Sequence, residues 1–254
     1  MELGRQRRNS RLIKVTLLIM AFWASFPMFW ILRDVGRMIF APFIYSENGI
    51  FFTLLKNSSI FVGVALSISV ICCVTAGFVL AVLDVPFRRF LLFATLVTML
   101  IPITALAMPL YVMIDGIGLN GTLLGLILAS SFFPFGAFLS YLYFTSVLPP
   151  DLVNMGRIDG LGDFGIYRYL GIPLSKSLIS VVTFFCFVSL WNSYHLPNVL
   201  LADPSKSILS IGIEAFYGQE TALIAIMMVF PSVMLFLAAN KTIARGIFSG
   251  AVKE

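Results

Sequence analysis

Charge is what this chain has least of. Only 11% of its 254 residues are charged, against about 25% in an ordinary soluble domain. Hydrophobic residues make up 59%, against roughly 45–50%. Seventeen basic and twelve acidic side chains cannot cover a water-facing surface of this size. That excludes a soluble enzyme, and the apolar content excludes a disordered chain. Cysteine is scarce too: Cys72, Cys73 and Cys186 all lie inside apolar runs, which excludes a disulfide framework or a thiolate metal site. The single histidine, His195, has no Cys, Asp or Glu beside it, so no metal site is expected. No Gly-rich phosphate loop, paired carboxylates or Ser/His/Asp arrangement is present. The chain reads as non-catalytic, with no cofactor of its own.

What is there is a set of long charge-free runs: 15–32, 57–83, 90–114, 116–150, 177–202 and 221–240. A helix crossing about 30 Å of hydrocarbon needs roughly 20 apolar residues, and each run is that long or nearly so. The runs are continuous rather than alternating, which disfavours barrel strands. The pattern predicts an all-α polytopic membrane protein. Its six transmembrane helices are expected at about 14–33, 58–83, 90–113, 122–146, 178–197 and 221–240, within a membrane domain over 14–240. The competing reading of the first run is a cleaved signal peptide. The run exceeds the usual apolar length of such a peptide and no small-x-small site follows, so a retained helix is expected.

Lysine and arginine orient the spans. Arg5, Arg7, Arg8, Arg11, Lys14, Arg88, Arg89, Arg157, Arg168, Lys176, Lys241, Arg245 and Lys253 fall on one side; Arg33, Arg37, Lys56 and Lys206 fall on the other. The bias predicts a cytoplasmic N-terminus (1–13) and a cytoplasmic C-terminal tail (241–254). It accounts for the net charge of +5 as a topology signal. No basic stripe with interleaved aromatics points to nucleic acid.

Most connections are short, but the cytoplasmic stretch 149–176 is not. Pro149, Pro150 and Asp151 make a good helix start. Leu152, Met155 and Ile158 follow as a short apolar ridge, and Gly160 and Gly162 end it. A second short segment runs from Phe164 to Leu170 and ends near Pro173. Two readings fit: an interfacial hairpin that joins two spans, or a docking element for a soluble partner.

The segment resembles the EAA loop of bacterial ABC importer permeases. That pattern is Glu-Ala-Ala, three residues, Gly, nine residues, an aliphatic, one residue, an aliphatic and Pro. Here Asn154, Met155 and Gly156 occupy the triplet, Asp159 and Gly160 form the Asp-Gly pair, and Leu170, Ile172 and Pro173 follow at the expected spacing. Trp191 and Asn192, with Leu196 and Pro197, resemble the Trp-Asn…Pro stretch of carbohydrate-type permeases. The tail from Arg245 to Lys253 resembles their Gly-x-x-x-Gly-Ala-Val-Lys-Gly ending. The chain departs from the pattern at Asn154, where an acid is usual, at Gly156, where alanine is usual, and at Glu254, where glycine is frequent.

This resemblance to the six-span, MetI-like permeases of sugar and glycerol-phosphate importers implies a set of partners. They are a second related permease subunit, two cytoplasmic ATPase subunits that bind the ATP, and an extracytoplasmic solute-binding protein. It places the complex in the bacterial inner membrane. It implies that Asn154, Met155, Gly156, Asp159, Gly160 and Pro173 couple the subunit to an ATPase, and that the tail can reach the ATPase interface. Trp191, Asn192 and Tyr194 form a polar-aromatic patch near the outer end of the fifth span; pathway lining and interfacial anchoring both fit that position. Asn57, Ser58 and Ser59 are expected to open the second span as caps or as the family's Asn-Ser pair. Pro102, Pro109 and Pro134 interrupt spans three and four. Two other classes compete: a secondary transporter, disfavoured because the runs hold no ionisable residue while Asp84 and Asp115 stand at their edges, and a non-transporting scaffold, which would not need the loop pattern. An amino-acid, peptide or glycerol-phosphate importer is the nearer alternative.

Overall fold

The computed structural model describes residue 14 and residues 50–201, 203, 206–215 and 227–240. The expected first span (apart from Lys14), residues 1–13 and 221–226, and the tail 241–254 lie outside the described residues. Every regular element among the described residues is helical, as the charge-free runs predict.

Helix α1 (Ile50–Val82) has 33 residues and no proline, a length of about 50 Å at 1.5 Å per residue. It overreaches a hydrocarbon core of about 30 Å, so its two ends stand at opposite faces of the bundle. Leu54, Asn57, Ser58, Phe61, Val62, Ala65, Ser69, Cys73, Val74 and Phe78 are buried. They recur at intervals of three and four and so form one helical stripe. Phe52, Ile60, Val64 and Ile71 on the other faces are exposed, as lipid-facing residues are. The helix starts eight residues before the expected 58, because the apolar pattern continues through Phe51 to Leu55 around the lone Lys56. Asn57, Ser58 and Ser59 therefore do not open it; they lie inside it.

The third expected span, 90–113, is not one straight helix. It is α2 (Arg88–Leu100) and α3 (Ile103–Gly116), bent by 108°. The cause is local. Pro102 forces Ile101 out of the helical region, to φ −79° and ψ 119°. Pro109 stands inside α3 without ending it. The fourth span is α4 (Leu123–Ser130) and α5 (Pro134–Val147), interrupted just before Pro134 but otherwise matching the expected 122–146. Thr122 caps α4 by accepting the Gly125 amide at 3.0 Å. Gly118 and Gly121 take positive φ in the preceding turn.

The 149–176 stretch holds α6 (Pro150–Ile158) and α7 (Asp163–Leu174), whose middle, Tyr167–Gly171, winds as a π-helix. After a 76° bend comes α8 (Lys176–Trp191). The expected fifth span continued to 197, but the helix stops at Trp191, and a separate short helix α9 (His195–Leu200) follows. Pro197 has no N–H to give the Ser193 carbonyl four residues back, and that carbonyl accepts the Ser210 hydroxyl at 2.6 Å instead. Helices α10 (Leu209–Ala215) and α11 (Met227–Asn240) complete the described chain.

Six hydroxyls inside the helices are satisfied by their own helix. The hydroxyls of Ser59, Ser67, Thr95, Ser131, Ser140 and Thr145 each donate to the carbonyl four residues back, at 2.6–2.9 Å. In hydrocarbon no water is available to do so. The core divides into two clusters strung along α1. One joins Leu54 and Phe61 to Leu126, Leu190, Trp191, Leu200 and Leu209. The other joins Phe78 to Phe144, Val153, Ile166 and Val182.

Candidate functional site

The loop 149–176 folds as a helical hairpin pressed against one end of α1. In α6 the inward side is Val153 and Gly156, both buried. The expected apolar ridge faces away from the chain: Met155 is 61% exposed and Ile158 is 84% exposed, with Leu152 half-buried. Phe164 and Tyr169 of α7 are likewise exposed. Asn154 and Asp159 are exposed and border this apolar surface.

The turn that follows is set by Gly160, at φ +83°. The Gly160 amide donates to the Arg157 carbonyl and the Leu161 amide to the Gly156 carbonyl, both at 3.0 Å. This is a Schellman closure, with glycine at the left-handed position. Leu161 folds back over Gly156, as the motif's apolar contact requires. The exposed Arg157 and Asp163 pair at 3.5 Å across the turn, an interaction of small energetic weight in water.

The return helix is fastened to α1. The Tyr167 and Thr75 hydroxyls share a hydrogen bond of 3.0 Å. The Tyr167 ring lies 4.9 Å from that of Phe78, which also meets Phe144 edge-on at 5.6 Å. Gly171 lies so close to the Phe78 ring that a Cβ there would stand 3.2 Å from it. Tyr143 donates to the Leu174 carbonyl at 2.7 Å. Pro173 is exposed beside the 76° bend. The π-turn before it, closed by the Ile172 amide on the Tyr167 carbonyl, accommodates a proline that would otherwise clash with an α-helical turn. Sequence reasoning missed Tyr167, Thr75 and Phe78. An interfacial tyrosine carries no signal for a hydroxyl 92 residues away.

Gly156 has room for a methyl group. A Cβ would meet the Leu170 Cδ1 at 3.3 Å and nothing closer, and the far end of a leucine can shift. Gly156→Ala should therefore leave the fold intact and stabilise α6 by up to about 1 kcal/mol through helix propensity. Thermal unfolding of the detergent-solubilised protein would check this, with a lower midpoint counting against it.

The second group of expected site residues sits at the opposite end of the bundle. Trp191 is 8% exposed, stacked on Phe187 at 5.5 Å, and its indole N–H donates to the Met228 carbonyl at 3.0 Å. Asn192 is exposed, and its amide donates to the Val188 carbonyl at 2.9 Å. Tyr194 is half-buried, with its ring edge-on to His195 at 5.5 Å. The structure thus brings Asn192 and Tyr194 to one turn and places Trp191 behind them in the core. The loop residues and these three do not form one site. Asn57 and Ser58, expected as caps, belong to this end as well. The Asn57 amide donates to the Ser207 carbonyl at 3.0 Å, and the Ser58 hydroxyl accepts the Leu209 amide at 2.7 Å.

An all-helical bundle with lipid-type surfaces, broken spans and a surface hairpin fastened to its long helix defines a membrane-embedded transport subunit. The chain belongs to the family of binding-protein-dependent transport system inner membrane components, whose pattern matches residues 73–249. It is therefore a non-catalytic transport component of the inner membrane, with the MetI-like permease fold. The diacetylchitobiose uptake system permease protein NgcG of Streptomyces coelicolor is 27% identical, covering 97% of this chain and 90% of its own. The arabinooligosaccharides transport system permease protein AraQ of Halalkalibacterium halodurans is also 27% identical, covering 95% and 92%. One chain of a bacterial ABC transporter involved in the import of the acidic polysaccharide alginate superposes with a TM-score of 0.75. Its identity is 21%, and the match covers 92% of this chain and 96% of that one.

Proposed function

We propose that this chain is one permease subunit of an ATP-driven importer of a sugar or oligosaccharide. It pairs with a second, related permease subunit, takes substrate from an extracytoplasmic solute-binding protein, and rests on two cytoplasmic ATPase subunits through α6 and the Gly160 turn. The observation that carries this reading is the outward apolar ridge of Met155 and Ile158, held on a hairpin that the chain's own core fixes from behind. An exposed apolar patch bordered by polar residues is the signature of a protein contact. Asn154, in place of an acid, leaves that contact to shape and apolar burial rather than to charge.

The arrangement of basic residues supports the orientation. Arg88, Arg89, Arg157, Arg168 and Lys176 all lie at or near the hairpin end, while Lys56 and Lys206 lie at the other. With the first span in place, the chain crosses six times and keeps both termini in the cytoplasm. The sugar reading draws on the relatives: their names specify diacetylchitobiose and arabinooligosaccharides. At the outer end, Asn192 and Tyr194 offer an amide and an aromatic face to a polyhydroxylated solute, and Trp191 is the buried post that fixes their turn.

The experiment is reconstitution of the full complex with its ATPases and binding protein in lipid vesicles. Sugar-loaded binding protein should stimulate ATP hydrolysis and uptake. Asn192→Ala and Tyr194→Ala should each slow uptake about tenfold, the scale of one lost hydrogen bond to substrate, without releasing the ATPases. Wild-type uptake in both variants would remove these residues from the pathway. Failure to co-purify with any ATPase would remove the importer reading.

A further inference from the structure

Asn57, Ser58, Ser207 and Ser210 are buried, with less than a tenth of their surface exposed, beside the apolar cluster of Leu54, Leu200 and Leu209. Polar side chains in such a place are costly unless fully engaged. Two of them engage the same short stretch of chain, to which Ser210 belongs. Asn57 holds the Ser207 carbonyl, Ser58 holds the Leu209 amide, and Ser210 ties back to Ser193 in the turn that carries Asn192 and Tyr194. Gly212 in α10 lies so close to Leu54 that a Cβ there would overlap the leucine methyl. The stretch 207–212 is therefore bound to α1 by hydrogen bonds and by close packing, and to the Asn192 turn by a third hydrogen bond.

The other end of the same helix holds the hairpin, through Thr75 and Phe78. Ser58 and Thr75 are 17 residues apart in α1, about 25 Å along the axis. Two neighbouring spans are interrupted: α2 and α3 by 108°, and α4 and α5 before Pro134. Among the described residues, α1 runs between the two ends without a break and is the helix that holds both the hairpin and the segment 207–212; α8 is also unbroken, from the bend beside the hairpin to Trp191. A continuous helix moves as a unit, whereas a broken one absorbs displacement at its corner.

We propose that Asn57 and Ser58 are positioning residues of transport, fastening the outer segment 207–212 to α1 so that movement of the cytoplasmic hairpin reaches the turn of Asn192 and Tyr194. This rests on the importer reading above. The fastening stays closed through the cycle, because its function is to carry the segment with the helix.

The test uses the full reconstituted complex. Ser58→Ala and the double variant Asn57→Ala with Ser58→Ala should keep binding-protein-stimulated ATP hydrolysis while uptake per ATP falls about fivefold, the size expected when one coupling contact is lost. Ser58→Thr, which keeps the acceptor oxygen, should restore it. A merely structural residue would lower hydrolysis and uptake together, and an unchanged ratio overturns the proposal. A second measurement holds even if these variants fold poorly. Asn57→Cys and Ser207→Cys, with the three native cysteines replaced by serine, are joined by a short bis-thiol reagent. Uptake should survive the cross-link; its loss would show that the contact must open, and overturns the proposal. A wild-type complex whose hydrolysis ignores the binding protein would strike at the importer reading itself.

Discussion

On the importer reading proposed above, Gly160→Val is expected to uncouple this subunit from the ATPases while leaving the bundle assembled. Gly160 sits at φ +83°, a region that costs an ordinary L-residue about 1–2 kcal/mol and that β-branched residues essentially never adopt. A Cβ at this position meets nothing within 4 Å, so no clash inside the chain contributes. The effect acts on the closure that joins α6 to α7, and on whatever partner rests over the turn. At about 2 kcal/mol the native turn would be disfavoured roughly thirtyfold. ATPase co-purification and uptake should fall by at least about tenfold, with normal accumulation of the subunit in the membrane. Asn tolerates the left-handed region, so Gly160→Asn should stay close to wild type and Gly160→Ala should fall between. Full ATPase association and uptake in the valine variant would remove the hairpin from the coupling contact.

Gly77 is where a substitution should destroy the fold rather than the coupling. In α1 it faces α5, and a Cβ there would stand 2.6 Å from the Ser140 carbonyl carbon and 2.7 Å from the Tyr141 amide nitrogen. Those are backbone atoms, which no rotamer change can move. Ser140 is itself fully buried and donates its hydroxyl to the Gly136 carbonyl at 2.7 Å, so the facing surface is small on both sides. This is how helices approach closely in lipid, where packing rather than water exclusion holds them together. Overpacking by one methyl group costs about 1–3 kcal/mol, and a leucine would separate the helices outright. Gly77→Ala should lower the unfolding midpoint in detergent, and Gly77→Leu should leave little folded subunit in the membrane. Gly63, on the same helix, has nothing within 4 Å of its would-be Cβ. Gly63→Ala should be neutral or mildly stabilising, and a matching loss there would show that helix flexibility, not the α1–α5 contact, is what these glycines provide.

Much of the architecture is legible in the charge-free runs, because a segment that must lie in hydrocarbon declares itself by composition. The hairpin is legible for a different reason. Its turn needs a residue at positive φ, and glycine at 160 meets that demand of the backbone. What the runs do not show is where a span is broken. Pro102 and Pro109 look alike in sequence, yet one turns the chain by 108° and the other lies within a continuous helix. The residue before Pro102 turns to an extended conformation, and nothing in the sequence marks that proline apart from Pro109. The ridge of Leu152, Met155 and Ile158 is visible as spacing, but its outward direction is decided by Val153 and Gly156 packing inward.

The sequence by itself determined that this chain lives in a membrane, that its bundle is helical, and that the loop 149–176 turns at Gly160 between two short helices. Those properties follow from local composition and from the backbone demands of single residues. Only the tertiary structure decided what Asn57, Ser58, Trp191 and Tyr167 do. Each is satisfied by a partner far along the chain, at Ser207, Leu209, Met228 and Thr75. A hydrogen-bonding group shows in its sequence neighbourhood that it needs a partner, but the partner is chosen by how the helices pack.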